Sequence, residues 1–351
     1  MNKKNFLRKI FFILILLILI SGCKGKKSAE KSLEEIRSGT QGIVMNFLPN
    51  FPPEKVHVDA DNTFDVILEV RNLGAFPQSD EISDSADTLG KIYLSGYDSN
   101  IVRFEPYFKS LNERLLGGKS AINPVGGSDI VKFTGMVIVD NLNVEKYEPI
   151  LLTTLCYRYD TISEPSVCID PEPYPTAQEK KVCEVNDITL SSQGAPIAVT
   201  RIDEEAFASG TQFKITIKNV GGGDVIKTSD DSIEKCNPFS GFGALGGEKF
   251  GVEDIDKVRL EEIKAGKNKL KCGPFIDGSL KGESGYIRLL NGEGTIVCQL
   301  LKEAYGSNTA YITPLQIKLS YVYRTSIQKK IQIIKERIGI GVDSADTRNI
   351  N

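Results

Sequence analysis

The chain of 351 residues has no tryptophan, one histidine, three methionines and no apolar run long enough to cross a bilayer as a helix. Each shortage excludes something. A single histidine, His57, takes the commonest general base and zinc ligand away from nearly the whole length. Standing just after Pro52-Pro53, it reads as a surface residue rather than a catalytic one. There is no CxxC and no cysteine pair closer than Cys156 and Cys168, so zinc-ligand spacing fails and no metal is expected. Lack of tryptophan weakens a sugar-stacking platform, although tyrosine can substitute. No Gly-x-Ser-x-Gly elbow occurs, and no carboxylate pair stands out as a glycosidase dyad. An excess of one charge is missing too. With 43 Lys+Arg against 46 Asp+Glu, nothing is left over to grip a phosphate backbone, so no nucleic-acid partner is expected. The composition points away from an enzyme and names no cofactor.

What is present begins at the N-terminus. Lys3, Lys4, Arg8 and Lys9 form a basic head before the apolar run Ile10 to Ile20. At ~1.5 Å per residue that run reaches only about 17 Å, against a hydrocarbon core of ~30 Å. A basic head, a short apolar core and small residues describe a secretory signal over 1–22. The tetrapeptide Ile20-Ser21-Gly22-Cys23 resembles the lipobox of prokaryotic lipoproteins. That resemblance implies cleavage before Cys23 and lipid attachment through its thiol, which would hold the protein on the membrane facing outward. An uncleaved signal anchor is the alternative. Losing 1–22 removes four bases and no acid, which moves the formal charge from −3 to −7. A polar tether is expected over 23–41 and a polar tail over 341–351.

From Gly42 onward, short alternating apolar runs are broken by Gly, Pro, Asn and Asp, the signature of strands. Phe64 to Asn72 alternates cleanly and ends in Asn72-Leu73-Gly74, and Phe213 to Asn219 repeats the pattern with Asn219-Val220-Gly221. Leu155-Cys156-Tyr157-Arg158-Tyr159-Asp160-Thr161 is echoed by Leu319-Ser320-Tyr321-Val322-Tyr323-Arg324-Thr325. Two echoes in the same order predict a duplication. The expected plan is one β-sandwich domain over 42–170, a Pro-rich linker over 171–180 and a second domain over 181–340. Each would end in a long hairpin, and Tyr107 to Leu116 reads as one short helix. The fold class is thus all-β, two tandem antiparallel sandwiches.

The strand-then-Asn-x-Gly units, Phe64 to Gly74 and Phe213 to Gly221, resemble the immunoglobulin-like, adhesion-related (CARDB-like) modules of prokaryotic surface proteins. The resemblance implies spacer, adhesion or assembly roles without catalytic residues. The tryptophan of antibody domains is missing here.

Beyond Cys23, six cysteines remain, an even number that implies disulfides in an exported chain. Cys156 and Cys168 fall in the two strands of the expected hairpin and are expected to pair. Cys236 with Cys272 would then close a loop in the longer second unit, leaving Cys183 with Cys298. Gly241 to Gly246 spells GxGxxG, but in an all-β context it reads as a surface loop. Phe239, Phe242 and Phe250 around it form a candidate contact loop. Acidic groups at Asp59/Asp61, at Asp80 to Asp87 and at Asp224 to Glu234 lack an EF-hand pattern and read as solvated charge. The expected function is a non-catalytic surface lipoprotein for adhesion or envelope-complex assembly, with the membrane and an envelope protein as partners. An extracytoplasmic lipoprotein binding a glycan, a peptide or calcium is the alternative.

Overall fold

The computed structural model describes residues 36–58, 62–77, 89–138, 142–174, 180–240, 248–276 and 279–335. Cys23, Phe242, the glycine string and the first two acidic groups lie outside them. Strands form because apolar and polar residues alternate and one face of each can be buried. In β3 (Thr63–Asn72), Phe64, Val66, Leu68 and Val70 are buried while the residues between them are not. Each such side chain contributes roughly 1.5–3 kcal/mol.

The fold is all-β. A four-stranded sheet runs β1 (Ile43–Phe47), β3, β7 (Ser128–Val137), β5 (Val102–Phe104). A five-stranded sheet runs β11 (Ile188–Thr189), β12 (Ile197–Phe207), β13 (Gly210–Asn219), β19 (Glu293–Leu301), β17 (Lys271–Gly273). Both pack on one face of a nine-stranded sheet whose main path is β16 (Asn268–Lys269), β15 (Lys257–Ala265), β20 (Tyr311–Lys330), β9 (Ile150–Ser163), β4 (Gly90–Ser95), β6 (Phe108–Ser110). To it are added β10 (Ser166–Ile169), β14 (Asp224–Ile226) and β18 (Gly285–Arg288). A small sheet joins β2 (Lys55–Val58), β21 (Gln332–Lys335) and β8 (Lys146–Tyr147).

The central sheet is where the two repeats meet. β9 and β20 pair antiparallel from Ile150 opposite Lys330 to Ser163 opposite Ile317. Arg158 lies opposite Val322, Tyr157 opposite Tyr323 and Tyr159 opposite Tyr321. Those residues are the sequence equivalents of one another, so a pseudo-two-fold axis passes between Arg158 and Val322. The same register continues at both ends, with β10 on the start of β20 (Cys168 opposite Ile312) and β8 on β21 (Tyr147 opposite Ile333). Even the interruptions match. Leu315 N donates to Pro165 O at one end, and Ile331 N donates to Pro149 O at the other.

Two expectations are corrected. The chain does not fold into terminal hairpins: β9 and β10 run in line along β20, broken only at Glu164-Pro165, because the apolar face continues through the break and finds its partner in the other repeat. The 42–170 and 181–340 units therefore share a sheet instead of each closing its own. Tyr107 to Leu116 is β6 followed by a turn, since Phe108 pairs with Tyr93 and Leu115 stays exposed while Leu111 is buried.

Both repeats seal their inner sheet to the central one in the same way. Asn72, fully buried, donates through Nδ2 to Phe76 O (2.6 Å) and Leu116 O (2.7 Å) and accepts from Gly74 N (3.1 Å) and Tyr159 Oη (3.0 Å). Asn219 donates to Gly223 O (2.7 Å) and accepts from Gly221 N (3.3 Å) and Tyr323 Oη (2.9 Å). The glycine of each Asn-x-Gly is required by this approach. A Cβ on Gly74 would collide with Tyr159 Oη, and one on Gly221 with Pro196 and Tyr323 Oη.

Replacing Asn72 by Ala strands buried partners that Asn219, half-exposed, does not hold as deeply. We expect N72A to lower the unfolding free energy by about 3 kcal/mol and N219A by about 1 kcal/mol, read from urea denaturation midpoints at constant slope.

Candidate functional site at the pseudo-dyad

Four tyrosines crowd the axis. Successive ring centroids of Tyr157, Tyr159, Tyr321 and Tyr323 lie 5.6–6.4 Å apart, a closed cycle of edge-to-face and tilted contacts. Alternation puts all four on the inner face of the central sheet, toward the two smaller sheets. Burial holds the Tyr157 and Tyr321 hydroxyls well above the ordinary phenol range, so they act as hydrogen-bonding groups and not as acids. Tyr157 bonds the backbone of Ile43 in β1, as Tyr321 accepts from Ile197 N (3.4 Å) in β12. Thr161 Oγ1 donates to Ile197 O (2.7 Å).

A cleft opens on each side of this core. The first, about 330 Å³, runs between the outer edge of β1 (Val44, Met45, Asn46) and the end of β20 (Tyr323, Thr325, Ile327). Among the described residues no charged side chain lines it; hydroxyl, amide and aliphatic groups do. The second, about 440 Å³, holds an ion pair, Arg37 Nη1 to Glu164 at 2.6 Å, with Gln316 Nε2 donating to the other carboxylate oxygen at 2.7 Å. Such groups bind and orient polar chains.

The opposite face of the central sheet carries Tyr93, Cys156, Ile226 and Val322. A short helix, α1 (Ser232–Lys235), and the segment after it cover that face, with Tyr93 Oη donating to Ile233 O at 2.9 Å. Phe239 and Phe250, two residues of the expected contact loop, are half-buried here. Phe239 stacks edge-on to Tyr107 at 5.1 Å, and the Arg324 guanidinium lies 5.4 Å from the Phe250 ring centre. Both thus have partners inside the chain. The last acidic group is dispersed among cations: Asp224 to Arg324 (2.9 Å), Asp231 to Lys235 (3.3 Å) and Glu234 to Lys91. Among the described residues, no cluster of three or more acidic, histidine or cysteine side chains is placed to hold a metal. His57 sits exposed on β2 opposite Ile334.

All six cysteines beyond Cys23 are bridged, but not as expected. The pairs are Cys156–Cys236, Cys168–Cys183 and Cys272–Cys298. Cys156 and Cys168 cannot meet because β9 and β10 are collinear, and twelve residues at ~3.3 Å each put them about 40 Å apart. Cys156 faces the outer side of the sheet, where α1 brings Cys236. Cys272 lies directly opposite Cys298 in the β17–β19 pair, which rules out both remaining expected pairs, Cys236–Cys272 and Cys183–Cys298. Cys183 instead folds back on Cys168 across the proline segment.

One buried group had no sequence signal at all. Glu204 on β12 is buried; its Oε2 accepts weakly from Cys168 N (3.4 Å), its Oε1 has no hydrogen-bond partner, and Asp170 is buried close to the same Cys168 segment. Burial raises its pKa to about 7.

No protein-family model matches the chain, and no curated protein does. Among solved structures, the C-terminal domain of the Streptococcus pyogenes antigen I/II-family protein AspA aligns over 85% of this chain and 100% of its own, at 7% identity and a TM-score of 0.18. Likeness at that level carries nothing about fold or role.

Two outcomes follow from this geometry. Peptide mapping of the non-reduced protein should recover Cys156 with Cys236 and no peptide joining Cys156 to Cys168. For Glu204, an unfolded carboxyl releases its proton near 4.5 and the folded one near 7, so folding takes up a proton between them. The stabilisation is complete below pH 4.5 and is lost as the pH rises through 7. E204Q should therefore be the more stable protein at pH 8, by on the order of 3 kcal/mol, and should flatten the dependence of melting temperature on pH between 5 and 8.

Proposed function

We propose that this protein is a non-catalytic lipoprotein of the cell surface, tethered through lipid on Cys23, that serves adhesion or the assembly of an envelope complex. The observation that carries the reading is the set of three disulfides, which belongs to an oxidising compartment. It stands downstream of a sequence with the order of an export signal and a lipobox-like cysteine. The shared central sheet supports it further: two repeats locked through one sheet make a stiff frame suited to presenting edges and loops to another macromolecule. A second reading, capture of a peptide outside the cytoplasm, draws on the uncharged cleft beside β1.

The anchor is tested in a prokaryotic host by labelled fatty acid. Wild-type protein should take up label and partition with membranes, and C23S should lose the label. Label retained on C23S would overturn the lipid-anchor reading. Crosslinking of the anchored protein in intact cells, followed by mass spectrometry, should return one near-stoichiometric envelope protein.

A further inference from the structure

The pseudo-two-fold makes each half a control for the other, and at one place they differ. β1 and β12 are equivalent strands: Ile43 lies opposite Asn72 as Ile197 lies opposite Asn219, and Met45 opposite Val70 as Val199 opposite Ile217. In β1, the bonds from Leu73 N to Gly42 O and from Leu48 N to Ile67 O (both 2.9 Å) fix the alternation. They leave the N–H and C=O of Ile43, Met45 and Phe47 pointing away from β3. Tyr157 meets the backbone of Ile43, as Tyr321 meets that of Ile197.

In the second half the next outward residue, Val199, is satisfied by the chain itself. Val199 N donates to Gln193 Oε1 (2.9 Å) and Gln193 Nε2 donates to Val199 O (3.0 Å). Leu190 N reaches Thr200 O (2.9 Å), and β11 adds Ile188 opposite Ile202 and Thr189 opposite Arg201. The segment 187–193 thus lies along β12 as an added antiparallel strand.

The first half has no such strand among the described residues. Among the described residues β1 ends its sheet, and none of them is hydrogen-bonded to the outward groups of Met45. The residues leading into β1 cross the axis instead of folding back: Gly39 O accepts from Gly194 N (3.0 Å), and Gly39 N donates to Ser192 Oγ (3.1 Å). What lies beside Met45 is the uncharged cleft of about 330 Å³, a volume in the usual range of ligand sites, ~300–1,000 Å³.

We propose that the outer edge of β1 is a strand-addition site, accepting an extended, uncharged peptide segment of a partner protein antiparallel to β1, where segment 187–193 lies in the other half. Main-chain bonds to Met45 supply affinity, and the uncharged lining among the described residues disfavours burying acidic or basic side chains in the cleft. The proposal deepens the surface-assembly role and rests on it for the source of the peptide; the site itself stands on the pairing geometry.

The test uses the full-length protein in detergent and a fluorescent peptide, blocked at both ends, with the uncharged sequence of residues 188–194. Anisotropy should show saturable binding below 1 mM. The same peptide methylated on its backbone nitrogens, which keeps the side chains and removes the donors, should bind at least tenfold more weakly. Thr325→Lys, which extends into the cleft from a half-buried position on β20, should do the same with an unchanged melting temperature. Absence of binding up to 1 mM, or equal binding of the methylated peptide, overturns the proposal. So does binding that Gln193→Ala alters and Thr325→Lys does not, since the peptide would then be replacing its own segment on β12. Concentration-dependent dimerisation that Thr325→Lys abolishes would assign the edge to a second copy and overturn the partner-peptide version. Loss of fatty-acid labelling on C23S is independent of all these results, so the anchor reading and the edge site fail separately.

Discussion

The ribbon formed by the two repeats along β9 and β20 is the constraint on which the remaining structure depends. Continuous register from β8–β21 at one end to β10–β20 at the other buries the equivalent faces of both halves against one another. Tyrosine suits the axis because a ring fills the gap between sheets while its hydroxyl reaches the neighbouring sheet. At Tyr159 and Tyr323 that hydroxyl donates to an asparagine, and at Tyr321 it accepts from the backbone of β12. A phenylalanine ladder would fill the same volume but leave Asn72 Oδ1 and its counterpart short of a donor. Packing and polar satisfaction are thus solved by one residue type used four times.

Departures from the two-fold concentrate in the second half. Among the described residues, only there does an extra segment, carrying α1, cross the outer face of the central sheet. The Cys156–Cys236 bridge fixes it to β9 of the first half. Again among the described residues, only there does the chain cover the strand equivalent to β1, with β11 and Gln193. An exposed edge is a hazard, since its unpaired groups template pairing with any extended chain. One half removes the hazard with its own backbone; in the other, among the described residues, an edge is left beside a cleft with no charged side chain in its lining. In a protein that displays itself outside the cytoplasm, as proposed here, an uncovered edge is tolerated most readily where it is used.

Much of this was legible in the sequence, for physical reasons. Alternation in Phe64 to Asn72 gave the strand and its buried face, and the paired Asn-x-Gly and Tyr-x-Tyr echoes gave the duplication. What the echoes meant was not legible. Equivalent strands in a repeat predict two similar units equally whether each closes alone or both share a sheet. Only the opposition of Tyr157 to Tyr323 distinguishes the cases, and pairing partners far apart in sequence leave no local pattern. The cysteine pairs failed for the same cause: Glu164-Pro165 reads as a turn, and in the fold it interrupts a strand that carries straight on. Glu204 sits in a polar stretch, Asp203-Glu204-Glu205, whose members alternate between surface and interior. Its burial depends on the approach of β10 through Cys168, which the local sequence does not encode.

The shared ribbon also bears on how a surface role could work. Two sandwiches on a linker would move independently, and an edge on one would report nothing to the other. Here any strand docked on β1 would lie against the end of β20, whose other end forms the register with β10 and the Cys168–Cys183 bridge. Displacing β20 by one residue would turn the tyrosines out of the core, so the ribbon resists sliding. A load applied at the first half is therefore carried as shear along β9 and β20, across the full set of hydrogen bonds at once, and not as peeling at a linker. That mechanical consequence follows from antiparallel pairing between repeats, whichever partner binds.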